Sequence, residues 1–291
     1  MLRRNHWVRR SEQLAPVRDS HEISLHVSAY DFPWDNVQAL SFALLRTYAV
    51  PSIGRLLDET GEFTTRVQKR YDDTGLLLEE VQRHGFGSGR GRSAVRRINQ
   101  MHGMYDISND DFRYVLATFV VVPKRWLDDF GFRPLSPNEI AATTNYYIEL
   151  GRRMAIQDIP EDYAGFEQLL GDYEREHFAS DPGGRRVADS TLDLVTTFPP
   201  NKYAPKWVTK RFAYSVMDEP LARAFHYLIP SRFERAFFRG ALQLRARLLR
   251  FAPARSKPKW ASQLGYYRTY PAGYDIDHLG TFPGRPSPHV P

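Results

Sequence analysis

The chain has 291 residues, with 40 Lys and Arg against 34 Asp and Glu, a formal net charge of +6. It contains no cysteine, which excludes disulfides, thiolate catalysis, iron–sulfur ligation and covalent c-type haem attachment. The charge excess is mild and no recognition motif accompanies it, so we expect a solvated basic surface and no nucleic-acid partner. No uncharged apolar run approaches the length of a membrane span, and the N-terminus lacks an apolar signal-peptide core. These features predict a cytoplasmic protein and leave peripheral contact with a membrane open.

The first thirty residues are polar, basic and weakly patterned, and we interpret residues 1–30 as an arm over the surface. From Trp34 onward apolar residues recur at intervals of three and four, which predicts a helix that ends before Pro51. A short helix follows, and Glu59-Thr60-Gly61 marks a break in the pattern.

The next pattern predicts one long helix over residues 62–84. Arg70 and Thr74 lie on its apolar face and are four positions apart. Side chains at this spacing are neighbours on a helix surface. Their polar ends can therefore meet one ligand.

Helical periodicity continues through most of the remaining chain. It predicts helices over residues 91–105, 109–122, 137–156, 160–178, 184–196, 206–216, 219–228 and 231–251. The last forty residues, rich in Pro, Gly and Tyr, show no helical period and are expected to wrap the surface. The sequence thus predicts an all-α fold of about ten helices. Residues 31–283 would form one helical domain, with an N-terminal arm and a C-terminal tail over residues 284–291.

His102 stands out because of its neighbours. It lies near the end of a predicted helix, Gly103 follows it, and Arg96 and Arg97 precede it by one to two turns. Glycine lets a flat partner approach the backbone closely. A haem site needs an axial His on an apolar helix, small neighbours for the macrocycle and cations for the propionates. The same pattern also fits a histidine that is hydrogen-bonded in a core.

A second candidate, Glu174 and His177, has the Glu-x-x-His spacing of di-iron carboxylate bundles. Such bundles need two of these motifs and two further glutamates, and the sequence offers one motif. We therefore interpret it as a helix end with solvated carboxylates. The glycine-rich loop Gly85–Gly91 follows no predicted strand, which argues against a dinucleotide-binding loop.

Several segments between about residues 60 and 283 resemble those of a known family. They are Lys69–Thr74 (KRYDDT), Arg96–Gly103 (RRINQMHG), Asn109–Leu116 (NDDFRYVL), Gly151–Met154 (GRRM), Tyr173–Phe178 (YEREHF), Tyr270–Tyr274 (YPAGY) and Leu279–Pro283 (LGTFP). With these segments the chain resembles the MpaB-like oxygenases and, more distantly, the rubber oxygenases, or latex clearing proteins.

The resemblance implies an all-α fold whose globin-like core binds non-covalent haem b, with His102 as the proximal iron ligand. Arg70 and Thr74 would be the catalytic residues near the oxygen or substrate side, and Arg96 and Arg97 would contact the cofactor. The implied activity is oxygenation with O₂ of an apolar substrate, with isoprenoid-like molecules as one class. Asp73 stands where the rubber oxygenases can carry a lysine that reaches the iron, so the closed, lysine-ligated form is not expected.

Three alternatives stay open at this point. One is a haem-binding sensor or carrier without turnover. Another is a di-iron bundle that uses Glu174 and His177. The third is a structural protein in which His102 is a core residue.

Overall fold

The computed structural model describes residues 2–281. Within this range the chain forms fourteen α-helices and no β-strand, which confirms the all-α prediction. The helices are α1 (His6–Ser11), α2 (Ser20–Leu25), α3 (Pro33–Tyr48), α4 (Pro51–Glu59), α5 (Glu62–Thr65), α6 (Val67–His84), α7 (Gly89–His102), α8 (Asn109–Phe130), α9 (Pro137–Arg153), α10 (Tyr163–His177), α11 (Pro182–Val195), α12 (Lys206–Val216), α13 (Glu219–Ala224) and α14 (Arg232–Leu249). The predicted tail over residues 284–291 lies outside the described residues. The globin-like character of the core stays a prediction.

Short polar side chains fix where many of these helices begin. Each accepts a hydrogen bond from a backbone N–H of the first turn, a bond worth about 1 kcal/mol. The capping residues of α7 to α11, α13 and α14 are Ser88, Ser108, Ser136, Asp162, Asp181, Asp218 and Ser231. At Ser136 the reciprocal hydrogen bond is also present, with the Ser136 backbone N–H donating to the Glu139 carboxylate, as the sequence predicted.

The N-terminal thirty residues are folded rather than an extended arm. α1 and α2 are followed by a π-helix, His26–Asp31, and this region packs against α9. Ile23 is fully buried, and Ser11 Oγ lies 3.0 Å from His26 Nδ1. A few apolar residues are enough to fix this region to the fold, because α9 supplies the opposite side of the packed interface. The local sequence pattern does not reveal this tertiary contact. The proposed domain boundary at residue 31 stays a prediction.

Two helix boundaries differ from those that the spacing of apolar residues predicted. The predicted helix over residues 62–84 is interrupted at Arg66, whose non-helical backbone (φ −133°, ψ 41°) separates α5 from α6. Conversely, α8 continues through Pro123 to Phe130, eight residues beyond its predicted end. Proline removes one hydrogen bond inside a helix. α8 tolerates this loss because it packs against α3, α9, α10 and α14 and buries Trp126 and Leu127.

Two apolar clusters lie side by side in the centre of the molecule. One joins α6, α7 and α9, and the other joins α8 to α10. Tyr147 and Met154 pack against both clusters. Both clusters contribute to the walls of the candidate site.

The last described residues, 260–281, form a C-terminal segment that runs along α6. Asp72 of α6 accepts hydrogen bonds from the backbone N–H and the hydroxyl of Thr269, at 2.8 and 2.6 Å. Asp73 accepts from Tyr270 at 2.6 Å, and Glu80 accepts from Tyr274 at 2.6 Å. The segment thus wraps the fold as predicted, and it is fixed there by buried carboxylates.

The crossing of α4 and α11 offers a test of the packing. A Cβ added to Gly184 of α11 would overlap the carbonyl oxygen of Tyr48, and one added to Gly54 of α4 would lie 2.7 Å from Gly184 Cα. We expect Gly184→Ala to lower the free energy of unfolding by about 2 kcal/mol, because two backbones must separate. Urea denaturation measures this change.

Gly171→Ala is the matched control, since its Cβ would meet nothing within 4 Å in the middle of α10. It should raise the stability by about 0.5–1 kcal/mol, as alanine is the better helix former. Equal effects of the two substitutions would contradict the close helix crossing.

Candidate functional site

A cavity of about 230 Å³ lies between α4, α6, α7 and α8. Its polar wall includes His102 at the end of α7 and Arg70 and Thr74 of α6. Apolar side chains form most of the remaining wall: Leu44, Ile53, Leu56, Leu57, Leu77, Leu78, Ile98, Met101, Ile107, Phe112, Val115, Leu116, Phe119, Leu150, Met154 and Ile156. The cavity is therefore a largely dry site with a few polar groups, the usual character of a small-molecule pocket.

The imidazole of His102 carries a buried nitrogen, Nδ1, that has no hydrogen-bond partner among the described residues. The ring packs edge-on against Phe112, with 5.3 Å between ring centroids. Burial and, to a smaller degree, the positive charge of Arg70 lower the pKa of His102 to about 4. The ring is therefore neutral at physiological pH, which is the state that binds a metal ion.

Arg70 and Thr74 contact each other, as their spacing on one helix face predicts. The Arg70 guanidinium donates to the Thr74 hydroxyl, which in turn donates to the backbone carbonyl of Arg70 at 3.1 Å. The guanidinium also lies 5.1 Å from the ring centroid of Phe63. These contacts orient a cation at the wall of an otherwise apolar cavity.

The other two predicted cofactor contacts lie elsewhere. Arg96 is exposed on α7, and neither Arg96 nor Arg97 lines the cavity as described. Arg97 is buried and donates to the carbonyl oxygens of Leu279 and Thr281, at 2.6 and 3.1 Å. It fastens the C-terminal segment to α7. A cofactor-binding role for Arg96 and Arg97 stays a prediction.

Some wall residues were not among the predicted site residues. Met101 and Thr281 both line the cavity, and Thr281 belongs to the segment without helical period. Only the resemblance of Leu279–Pro283 to the family pointed to this part of the chain. The apolar residues of α4 recur at helical spacing in the sequence, but no sequence feature predicted that this helix would line the same cavity as His102.

Glu174 and His177 have structural roles instead of forming a metal site. Arg46 donates to both carboxylate oxygens of Glu174, at 2.6 and 2.5 Å, and Tyr114 donates at 3.2 Å. The expectation that Glu174 is solvated is wrong, since its side chain is only 11 % exposed. His177 stacks on Tyr173, with 4.0 Å between centroids. Between residues 2 and 281 no group of three or more His, Asp or Glu could hold a metal ion.

The chain is similar to proteins of one known family. Residues 31–247 match the family described as ER-bound oxygenase mpaB/B'/Rubber oxygenase, catalytic domain. The chain belongs to this family. The resemblance inferred from the sequence is thereby confirmed, and the match covers α3 to α13 and most of α14.

Individual relatives of this mpaB-like chain are fungal. It is 30% identical over 260 residues to the ER-bound oxygenase mpaB' of Penicillium brevicompactum, covering 82% of this chain and 61% of the relative. It is also 30% identical over 237 residues to the ER-bound oxygenase mpaB of Penicillium roqueforti (strain FM164), covering 75% of this chain and 79% of the relative. The chain thus spans about three fifths of the length of the first relative. None of the helices within residues 2–281 has the length and apolarity needed to cross a membrane.

The close approach of the C-terminal segment to Met101 can be tested with a matched glycine pair. Gly280 and Gly273 both have positive φ, at +94° and +101°, but only a Cβ on Gly280 would overlap Sδ of Met101. We expect Gly280→Ala to displace the Met101 side chain into the cavity. With five methionines in the chain, methyl NMR resolves the Met101 signal, which should shift clearly.

Gly273→Ala carries a similar backbone strain of about 1 kcal/mol without the contact. It should leave the Met101 methyl signal in place. An unchanged signal in Gly280→Ala would show that the segment does not press on the end of α7.

Proposed function

We propose that this chain is a haem b-dependent oxygenase in which His102 is the single proximal iron ligand. The observation that carries the proposal is the buried, unpartnered Nδ1 of a neutral His102 at the wall of an apolar cavity. Family membership supports it, because both the family description and the relatives' names include oxygenase activity.

The residues present fit a haem better than a bare metal ion. Bare metal ions held by nitrogen and oxygen ligands need several protein ligands converging on one point, and the described residues offer no such group. A haem needs one neutral histidine and an apolar slot, which His102 and the cavity wall supply. Bound there, haem b would supply an iron with one face available to O₂.

The roles of the protein side chains follow from their contacts. His102, neutral because of its burial, would hold the iron. Arg70 presents a guanidinium whose remaining N–H groups would stabilise negative charge that develops on oxygen. Thr74 holds this guanidinium in place through its hydroxyl. The apolar wall would exclude bulk water from the reacting groups.

The expected substrate is apolar, and isoprenoid-like molecules are the class we favour. A second cavity, of about 100 Å³, shares Thr74, Leu78 and Phe119 with the His102 cavity and continues the apolar space. The family description includes the name rubber oxygenase, and rubber is chemically a polymer of isoprene units. An aliphatic chain of that kind would match these walls without leaving polar groups unpaired.

Haem titration of two histidine variants tests the ligand assignment. We expect His102→Ala to weaken haem binding at least 100-fold and to abolish the absorption features of a histidine-bound haem, because the only iron ligand is lost. His177→Ala should bind haem like the parent, since His177 lies outside the cavity. The reverse result would contradict the assignment of His102 as the ligand. Iron bound without porphyrin through Glu174 and His177 would support the di-iron alternative.

A Thr74→Val substitution separates oxygen chemistry from cofactor binding. Valine keeps the shape of threonine and removes the hydroxyl that orients Arg70. We expect haem affinity to be unchanged and turnover with O₂ and an isoprenoid substrate to fall about 10- to 100-fold, the loss of about one oriented donor. Parent protein that binds haem but forms no product from candidate lipids would indicate a sensor or carrier.

A further inference from the structure

An apolar stripe runs along the outer face of α14 and just beyond its end. Its members are large apolar side chains that are mostly exposed: Phe233 (89 %), Phe237 (70 %), Leu244 (56 %), Leu248 (63 %) and Phe251 (88 %). The first four follow one another at intervals of four, seven and four residues, so they lie on one face of the helix, and Phe251 comes two residues after its end. Exposed apolar patches of this kind mark interaction sites.

The opposite face of α14 fixes the helix to the body of the protein. Leu242 and Ala246 are buried, and α14 packs against α12 and α8. Arg245 donates to the buried carboxylate of Asp35 at 2.9 and 3.2 Å. The stripe is therefore held outward by the fold, in one rigid orientation.

Basic residues of α14 outnumber its acidic ones, although Arg235 and Arg239 pair with Glu219 and Asp129 of neighbouring helices. Arg232 and Arg247 are exposed near its two ends. Glu234 is the only acidic residue of α14, and it accepts three hydrogen bonds from Arg211. A helix with Phe and Leu on one face and arginines beside them is the pattern that lies in a phospholipid interface.

A row of cavities leads from α14 toward the candidate site. Ala241 and Leu242 line a cavity of about 260 Å³ that also includes Ser41 and Tyr71. These last two residues line the 100 Å³ cavity as well, which adjoins the His102 cavity at Thr74. The hydroxyls of Ser41 and Tyr71 are hydrogen-bonded at 3.1 Å, across the boundary between the first two cavities. Because Leu242 lies on the face of α14 that packs against the body, the row of cavities begins beneath this helix, and an apolar molecule in it would lie on a path inward.

We propose that α14 docks this protein on the surface of an anionic phospholipid bilayer. The aromatic and leucine side chains of the stripe insert at the acyl boundary, and Arg232 and Arg247 contact lipid phosphates. This surface binds membrane whether or not haem is bound, so its test is independent of the proposed oxygenase activity. Docking would also serve the proposed oxygenase, because its apolar substrate would partition into the bilayer, close to the row of cavities.

Vesicle flotation tests the docking. The full chain should bind vesicles of phosphatidylcholine with 30 mol% phosphatidylserine and should bind pure phosphatidylcholine at least about tenfold more weakly. Replacing Phe233, Phe237 and Phe251 together with serine should weaken binding about 100-fold, through the lost apolar burial. Arg232→Gln with Arg247→Gln should weaken it at least tenfold and reduce its dependence on salt.

Matched substitutions away from α14 are the controls. Val17→Ser removes an apolar side chain that is 73 % exposed, and Arg152→Gln with Arg175→Gln removes two exposed cations. Both controls should bind vesicles like the parent. Circular dichroism confirms that every variant is folded.

Two results would overturn the proposal. The first is a folded monomer that does not float with anionic vesicles, or whose binding is unaffected by the serine substitutions. The second is a dimer in light scattering, without lipid, that the serine substitutions dissociate. That outcome would show that the stripe is covered by a second copy of the chain.

Discussion

The burial of carboxylates on α6 is the constraint on which the rest of the structure depends. Asp72 and Asp73 are buried almost completely, and a buried carboxylate without partners costs several kcal/mol. Thr269 and Tyr270 of the C-terminal segment supply those partners, while Lys69 donates to both Asp73 and the backbone of Gly280. Because α6 also carries the polar wall of the cavity, the same contacts set the distance between that wall and the end of α7.

The electrostatics of the site follow from this enclosure. His102 is neutral because the surrounding apolar side chains disfavour its charged form and Arg70 repels a second positive charge. Asp111, which lines the same cavity, is engaged elsewhere, since it accepts hydrogen bonds from Ser52 and Tyr173. The Arg70 cation and a neutral imidazole thus face one largely apolar space.

Much of the fold could be predicted from the sequence because most helices bury one regular face, and half of the fourteen begin at a Ser or Asp cap. The same local geometry predicted that Arg70 meets Thr74. The rest depends on tertiary contacts that leave no periodic pattern. α8 continues through Pro123 because it packs against neighbouring helices. Arg97 donates to a backbone carbonyl of Leu279, a residue far along the chain. No local spacing distinguishes an arginine that meets a propionate from one that holds a C-terminal segment.

The row of cavities runs from beneath α14 to the candidate site and would let an apolar substrate pass inward to the wall that carries Arg70. The proposed oxygenase activity rests on a porphyrin iron at His102. The most direct test is the absorption spectrum and pyridine haemochrome assay of the full chain, produced with haem supply. The account predicts about one haem b per chain and a Soret band that moves on reduction with dithionite. A colourless protein, or iron without porphyrin, would contradict it.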